Sequence, residues 1–402
     1  MEILMIGPGK PNPQNSGLGI ACYHIAENLA KKVHLKLFAV QEAEEVVEQE
    51  YEQSEVAHMN QQTLTNRKQI NADLVHLSIK SKLNPYFYAS GVEVEEHYNE
   101  NIDLSIHEAL EDFSQRIISK SRNLDFDVIY AHDWTAIPSS IKLQELFKKP
   151  FVLHVHALDY DRSGKKTNSW LFDLEKEGMQ KADLVIAVSH YHKNVMVEEY
   201  GIAESKIKVI HHGLAPMKVS NYQTPFNEHI ILFSGRLCVQ KGADTFLEIA
   251  KVLAEKEENI RFIISGQGEL MEELIAKANE SNLLDKIHFT GHIPQEDLFS
   301  VMQSSDVMVM PSISEPFGLA ALEATSLKVP IVTSTNCGVN EVLEYVQTAE
   351  ENDIEAFVIA IRNVINHKNK FKEVAEKNAE LVKTRNWEHV SNEILDSIKE
   401  VL

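Results

Sequence analysis

The chain has 402 residues, 44% of them hydrophobic and 25% charged. That suits globular material in two domains of about 200 residues each and excludes a disordered chain. A formal net charge of −21 argues against nucleic acid as a general partner, because phosphates would be repelled.

Short apolar runs alternate with amphipathic segments from the first residue onward. EILMIG, HLKLFAV, DVIYAHD, FVLHVHA, DLVIAVS and IKVIHHG read as buried strands. Helical spacing lies between most of them, as at residues 19–31 and 134–147. This is the βαβ pattern of a parallel sheet covered on both faces. Residues 41–71 are acidic, Gln-rich and poor in large apolar groups, so they read as surface structure. Two prolines and several polar residues at 214–228 mark a linker. The alternation then restarts with HIILFSG, IRFIISG, KIHFTG, DVMVMPS and VPIVTS. The predicted division is an N-terminal Rossmann-like domain at 1–213, a linker at 214–228, a C-terminal Rossmann-like domain at 229–385 and a closing amphipathic helix at 386–402. The fold class is α/β, with two doubly wound domains facing a cleft, since ligands bind beyond the carboxyl ends of such strands.

Three widely spaced cysteines, Cys22, Cys238 and Cys337, form no CxxC pair, so neither a disulfide framework nor a zinc site is expected. No apolar run reaches the ~18 residues of a membrane span, and the first apolar run is too short for a signal peptide. A cytoplasmic location is the expectation.

The chemistry concentrates where strands end. PSISEPFGLAALEATSL follows the strand DVMVMPS, and Pro316 and Gly318 suit a turn opening onto a helix. N–H groups near Phe317, Gly318 and Leu319 would hold phosphate, with Glu315 at the mouth and Glu323 about two turns on, near a ribose. In FSGRLCVQKG, Arg236 and Lys241 carry the charges that neutralise a diphosphate. Gly17 and Gly19 open the first helix and let a ligand approach the backbone, but the spacing is not the GxGxxG of a dinucleotide fold. The HVH tripeptide puts His154 and His156 on one face of a strand end, and His132, His211 and His212 also close strands. No carboxylate cluster accompanies these histidines, so no metal site is read there. Asp125 and Asp127 lie at the sheet edge opposite the cleft. Asp159 and Asp161, with Arg162, lie on the cleft side.

Together these marks resemble glycosyltransferase family 4, whose members have the GT-B fold and retain anomeric configuration. EPFGLAALE is the most specific mark, SGRLxxxKG the next, and Trp387 matches a tryptophan of the closing helix. AHDW, HALDYDR and Glu175 bring the first half nearest the glycogen and glucan synthase-like members. The resemblance implies that Arg236 and Lys241 bind the donor diphosphate and that Glu323 holds the ribose. It implies that Glu315 contacts the donor sugar, that Phe317, Gly318 and Leu319 meet sugar and phosphate, and that Gly17 and Gly19 face the phosphates. It places His156 beside the transferred sugar and the closing helix against the first domain. Asp133, Asp159 and Arg162 are weaker candidates for the acceptor. No cofactor and no metal are expected, because the cations do that work. Partners are then a UDP-, GDP- or ADP-sugar donor and a sugar or glycan acceptor hydroxyl, with no nucleic acid and no strong membrane signal. Two other readings remain at this point: a non-catalytic nucleotide-sugar-binding protein, or another GT-B enzyme such as a nucleotide-sugar epimerase. The chain departs from the family at Lys328, where glycine is usual, and after Val346, where a Gly-rich apolar stretch is replaced by QTAEENDIEAF.

Overall fold

Each half of the chain folds around its own parallel sheet, seen in a computed structural model that describes residues 1–7, 17–42, 74–81, 100–165, 167–218 and 226–402. The first sheet takes β1 (Glu2–Gly7), β2 (His34–Glu42), β3 (Leu74–Ser81), β4 (Val128–His132), β5 (Phe151–Val155), β6 (Leu184–Ala187) and β7 (Ile207–Val209). Its helices are α1 (Gly17–Leu29), α2 (Glu100–Ser121), α3 (Asp133–Phe147), the single turn α4 (Asp159–Arg162), α5 (Trp170–Lys181) and α6 (His190–Glu198). The second sheet takes β8 (His229–Ser234), β9 (Ile260–Ser265), β10 (Ile287–Gly291), β11 (Val307–Met310), β12 (Ile331–Ser334) and β13 (Gln347–Ala349). Around it lie α7 (Ala243–Lys256), α8 (Met271–Glu280), α9 (Gln295–Gln303), α10 (Leu319–Ser326), α11 (Ile354–Asn366) and α12 (Lys368–Lys383), and α13 (Trp387–Lys399) closes the chain.

The strand orders are β3-β2-β1-β4-β5-β6-β7 and β10-β9-β8-β11-β12-β13. Both reverse direction of winding beside their first strand, between β1 and β4 and between β8 and β11. Such a switch point leaves a crevice at the carboxyl ends of the two strands. Burial on both faces explains the unbroken apolar runs. Along β1, Leu4 and Ile6 enter one core cluster, while Ile3 and Met5 enter another on the opposite face. The second sheet repeats this: Ile231 and Phe233 face α7, and Ile230 and Leu232 face α10.

The closing helix returns to the first half. Asn386 caps it by accepting from His389 N at 2.9 Å. Trp387, Val390, Ile394 and Ile398, at helical spacing, are buried with Ile3, Met5, Ala21 and Ile25. The chain thus passes twice between the halves, and the passages touch: Leu214 N donates to Arg385 O at 2.7 Å. Gly213 permits this, since a Cβ there would stand 2.8 Å from Trp387 N.

Two strands lack a counterpart in the sequence reading. LVHLSIKS forms β3, paired with β2 from Leu35↔Leu74 to Glu42↔Ser81. It follows the acidic, Gln-rich stretch, which hides its apolar character in any window. Gln347–Ala349, in the segment that departs from the family, forms the edge strand β13 against β12. Three residues are too few for periodicity to register. Of the linker, 219–225 lie outside the described residues, as do the loop 8–16 and residues 43–73 and 82–99, which include most of the acidic stretch read as surface structure.

Candidate active site

The two switch points face each other across a cavity of about 620 Å³. From the first half its wall includes Gly17 after β1, Asp133 and Trp134 after β4, and His156 and Arg162 after β5. From the second come Arg236 and Lys241 after β8, Gln267 after β9, His292 and Ile293 after β10, and Glu315 to Ala320 after β11, with Glu323 on α10. Gly19 is not in this wall; it sits inside the first turn of α1, past the end that faces the cavity. Asp159 is not in it either. Its carboxylate accepts from Ser169 Oγ and its N–H donates to Glu175 at 2.8 Å, which fixes α4 rather than offering a group to an acceptor. Asp161 is fully buried and bonded to Leu158 N at 2.8 Å. Asp127, on the far edge, accepts from Glu2 N at 2.8 Å and serves the fold.

One wall of the cavity is built by the turn from β11 into α10. Gly318 has φ 104, which favours glycine, and a Cβ there would meet Cys337 Sγ at 3.1 Å. The first N–H groups of α10 have no carbonyl four residues earlier in the helix, so they and the helix dipole present positive charge to the cavity. Lys241 Nζ lies 2.5 Å from Glu315 Oε2, so these two residues form one unit in the free protein. Gly242, φ 67, carries the chain past Pro311 O, which a Cβ would approach to 2.1 Å. Arg236 makes no ion pair among the described residues. Burial lifts the Glu323 carboxyl from the usual range to about 7.

Behind the facing wall, to which His156 and His212 contribute, runs a ribbon of histidines. His132 Nδ1 lies 2.9 Å from His156 Nε2, and His156 Nδ1 lies 3.0 Å from His212 Nε2. His154 stacks on His156 at 4.2 Å and its Nδ1 meets the Tyr130 hydroxyl at 2.7 Å. Burial holds His132 and His212 down at about 3 and drives His154 and His156 well below their usual value. All four are therefore neutral. Cys22 joins His132 and His156, and His154 joins His156 and His212, in groups whose ligand atoms fall within 4.8 Å. His156 spends its two ring nitrogens on different neighbours, His132 and His212. The role implied for His156 beside a sugar requires it to release one of them.

Asp133 opens α3 in the left-handed region, φ 54, and accepts from His156 N at 2.6 Å. Burial raises it to about 6, against the pull of the His156 amide and Arg162. Arg162 is held by Glu175 at 2.5 Å and by Ala157 O at 3.1 Å. Burial pulls its pKa down, but Glu175, Asp159 and Asp133 outweigh that and raise it. Gln240, Gln267, His292, Ile293 and Gln295 also line the cavity without having been singled out from sequence, and Trp134 of the AHDW mark lines it too. Their signal was position: most follow a strand end in the doubly wound pattern. No residue of the segment after Val346 lines the cavity, and Lys328 takes a left-handed turn, φ 64, in glycine's place.

Residues 98–216 match the family model described as "Glycosyltransferase Family 4", and 219–394 match "Glycosyl transferases group 1". A glycogen synthase of Mycobacterium tuberculosis is 28% identical over 250 residues, 60% of this chain and 60% of that protein. The chain spans about 60% of the length of the first such curated relatives. Among solved structures, sucrose-phosphate synthase from Thermosynechococcus elongatus superposes with a TM-score of 0.76 at 19% identity, covering 99% of this chain and 98% of that one. Anabaena HepE in complex with UDP-glucose superposes with a TM-score of 0.69 at 16% identity, each chain fully covered at 100%. No helix among the described residues is long and apolar enough to cross a membrane. The two matches fall in order along one GT-B fold, so each half of the chain carries a glycosyltransferase family domain.

Proposed function

We propose that this glycosyltransferase moves a hexose-type sugar from a nucleoside-diphosphate donor to an acceptor hydroxyl, with retention and without a metal. The observation that carries this reading is the phosphate-facing wall. Arg236, the Lys241–Glu315 pair, the free N–H groups of α10 and Glu323 meet on one side of a cavity that His156, Asp133 and Arg162 close from the other. Charge develops on the leaving diphosphate as the glycosidic bond to it breaks. Preorganised cations and helix N–H groups aimed at that charge stabilise the transition state more than the ground state. They supply the neutralisation that a divalent ion would otherwise give. Glu323, when ionised, accepts from ribose hydroxyls. The acceptor hydroxyl would enter beside Asp133, and its proton would leave with the departing phosphate. UDP is the first nucleotide to try, since HepE is described in complex with UDP-glucose.

Thermal unfolding with UDP, GDP and ADP at about 1 mM tests the donor site. A ligand present at ~100 Kd adds about 2.7 kcal/mol to stability. One nucleotide should raise the midpoint, and Arg236→Ala or Glu323→Ala should remove the rise. A folded wild-type chain that responds to none of the three would sink the proposal.

A further inference from the structure

The turn that carries Glu315 is gripped from outside the cavity by the other half of the molecule. Ser189 Oγ donates to Pro316 O at 2.6 Å. Ser314 Oγ donates to Asp161 and accepts from the Tyr191 hydroxyl at 2.7 Å. Within the second half, Gly338 N donates to Glu315 O at 3.0 Å and Val339 N to Phe317 O at 2.6 Å. The turn is thus sandwiched between the start of α6 and residues 338–342. A Cβ on Gly338 would stand 2.2 Å from Pro316 O and 2.7 Å from Ser189 Oγ, so the layers have no slack.

Glu341 joins the two outer layers. Its carboxylate accepts from His190 N at 2.8 Å and Tyr191 N at 2.7 Å, two of the unpaired N–H groups that open α6. It also lies 2.7 Å from His211 Nε2, while His211 Nδ1 meets Arg385 Nη2 at 3.1 Å. A guanidinium only donates, so His211 Nδ1 accepts and Nε2–H donates to Glu341. Arg385 and His211 flank the two chain passages between the halves. One carboxylate therefore ties the passages, the start of α6 and the back of the Glu315 turn together. Those interactions also hold its carboxyl below the usual range, although burial alone would raise it. A second tie, Lys165 Nζ to Glu351 at 2.5 Å, spans the halves at the rim.

We infer that Glu341 is a positioning residue: it clasps α6 to the second half and so sets the register in which the Glu315–Gly318 turn meets the facing wall of the cavity. It touches neither donor nor acceptor and is absent from the cavity wall. The rate effect rests on the transferase reading above; the clasp itself does not.

Amide hydrogen exchange of the free chain, with and without Glu341→Gln, tests the clasp directly. The substitution keeps size but turns one of the two oxygens, which between them accept from three donors, into an NH2 that can only donate. Exchange at His190 and Tyr191 should speed up at least tenfold, and small-angle scattering should report a larger radius of gyration. With UDP-glucose as probe, kcat should fall on the order of 10²-fold, the cost of misplacing a reacting group by about 1 Å. UDP affinity should change less than about threefold, because the donor wall lies within one half. Lys165→Met, which leaves α6 intact, should shift scattering the same way by a smaller amount. Unchanged exchange at α6 would overturn the inference, and so would a loss of UDP affinity as large as the loss of rate. If wild-type chain bound no UDP, the donor reading would fail and the exchange result alone would decide the clasp.

Discussion

Four neutral histidines buried side by side each give the fold a contribution that weakens in acid. His132, His154, His156 and His212 are each at most 6% exposed. Their pKa values in the fold lie far below the ~6.5 of an unfolded chain. A depressed value means that the folded state binds fewer protons. The stability is then fully present above pH 6.5 and is lost as pH falls toward the folded pKa. At pH 5.5 each histidine costs about 1.4 kcal/mol against pH 8, or on the order of 5 kcal/mol for four. Three buried carboxyls work in the opposite sense: Asp133 is raised to about 6, Glu323 to about 7 and Glu175 to about 8. Each favours the fold as pH falls through its folded value, and together they return on the order of 5 kcal/mol at pH 5.5, which offsets the histidines. Substitution isolates one ring: in denaturant unfolding, His212→Gln should raise stability at pH 5.5, relative to pH 8, by about 1.4 kcal/mol against wild type. The same pH dependence in both chains would mean that water or a neighbouring group satisfies this ring when protonated. Sequence placed all four at strand ends, because period-2 alternation is local. It could not show that His156 spends both nitrogens on its neighbours, since His212 lies 56 residues away.

At the scale of elements, the turns after β8 and β11 test how tightly the second half's wall of the cavity is built. Gly242 and Gly201 share nearly the same backbone, φ 67 and φ 69, in opposite surroundings. A Cβ on Gly242 would overlap Pro311 O at 2.1 Å, while one on Gly201 would meet nothing within 4 Å. Gly201→Ala should cost about 1 kcal/mol, the price of the left-handed region alone. Gly242→Ala should cost a further 1–3 kcal/mol or so, because the β8 and β11 turns must separate. That separation moves Lys241 from Glu315, so UDP affinity should fall with Gly242→Ala and hold with Gly201→Ala. Equal losses of stability would show that the two turns can part freely. These turns were legible because each follows an apolar strand and carries Gly, Pro or a cation at a fixed offset. The edge strand β13 and the Glu341 clasp were not. The first is too short for a pattern, and the second pairs a carboxylate with backbone N–H groups 150 residues away.

At the scale of the molecule, the closing helix belongs to the first half in packing and to the second in sequence. Trp387 is 3% exposed, and Val390, Ile394 and Ile398 are fully buried against β1 and α1. Fully burying such side chains contributes about 1.5–3 kcal/mol each, so the helix supplies a sizeable part of a total stability of about 5–15 kcal/mol. It also couples the halves, since it completes the first core while the passage at Arg385 is bonded to Leu214. Ile394→Ala leaves a cavity in that shared core and should cost about 2–5 kcal/mol. If the helix is integral, hydrogen exchange should accelerate in β1, β2 and α1, whose side chains line the same cluster, and far less in β9 and α8. A loss below about 0.5 kcal/mol, or exchange confined to α13, would make the helix an appendage. In that case the described residues would tie the halves through the passage at Leu214, the packing of Val188 on the second core and polar contacts such as the Glu341 clasp. The Glu341→Gln chain would then open much further than a molecule held by two passages.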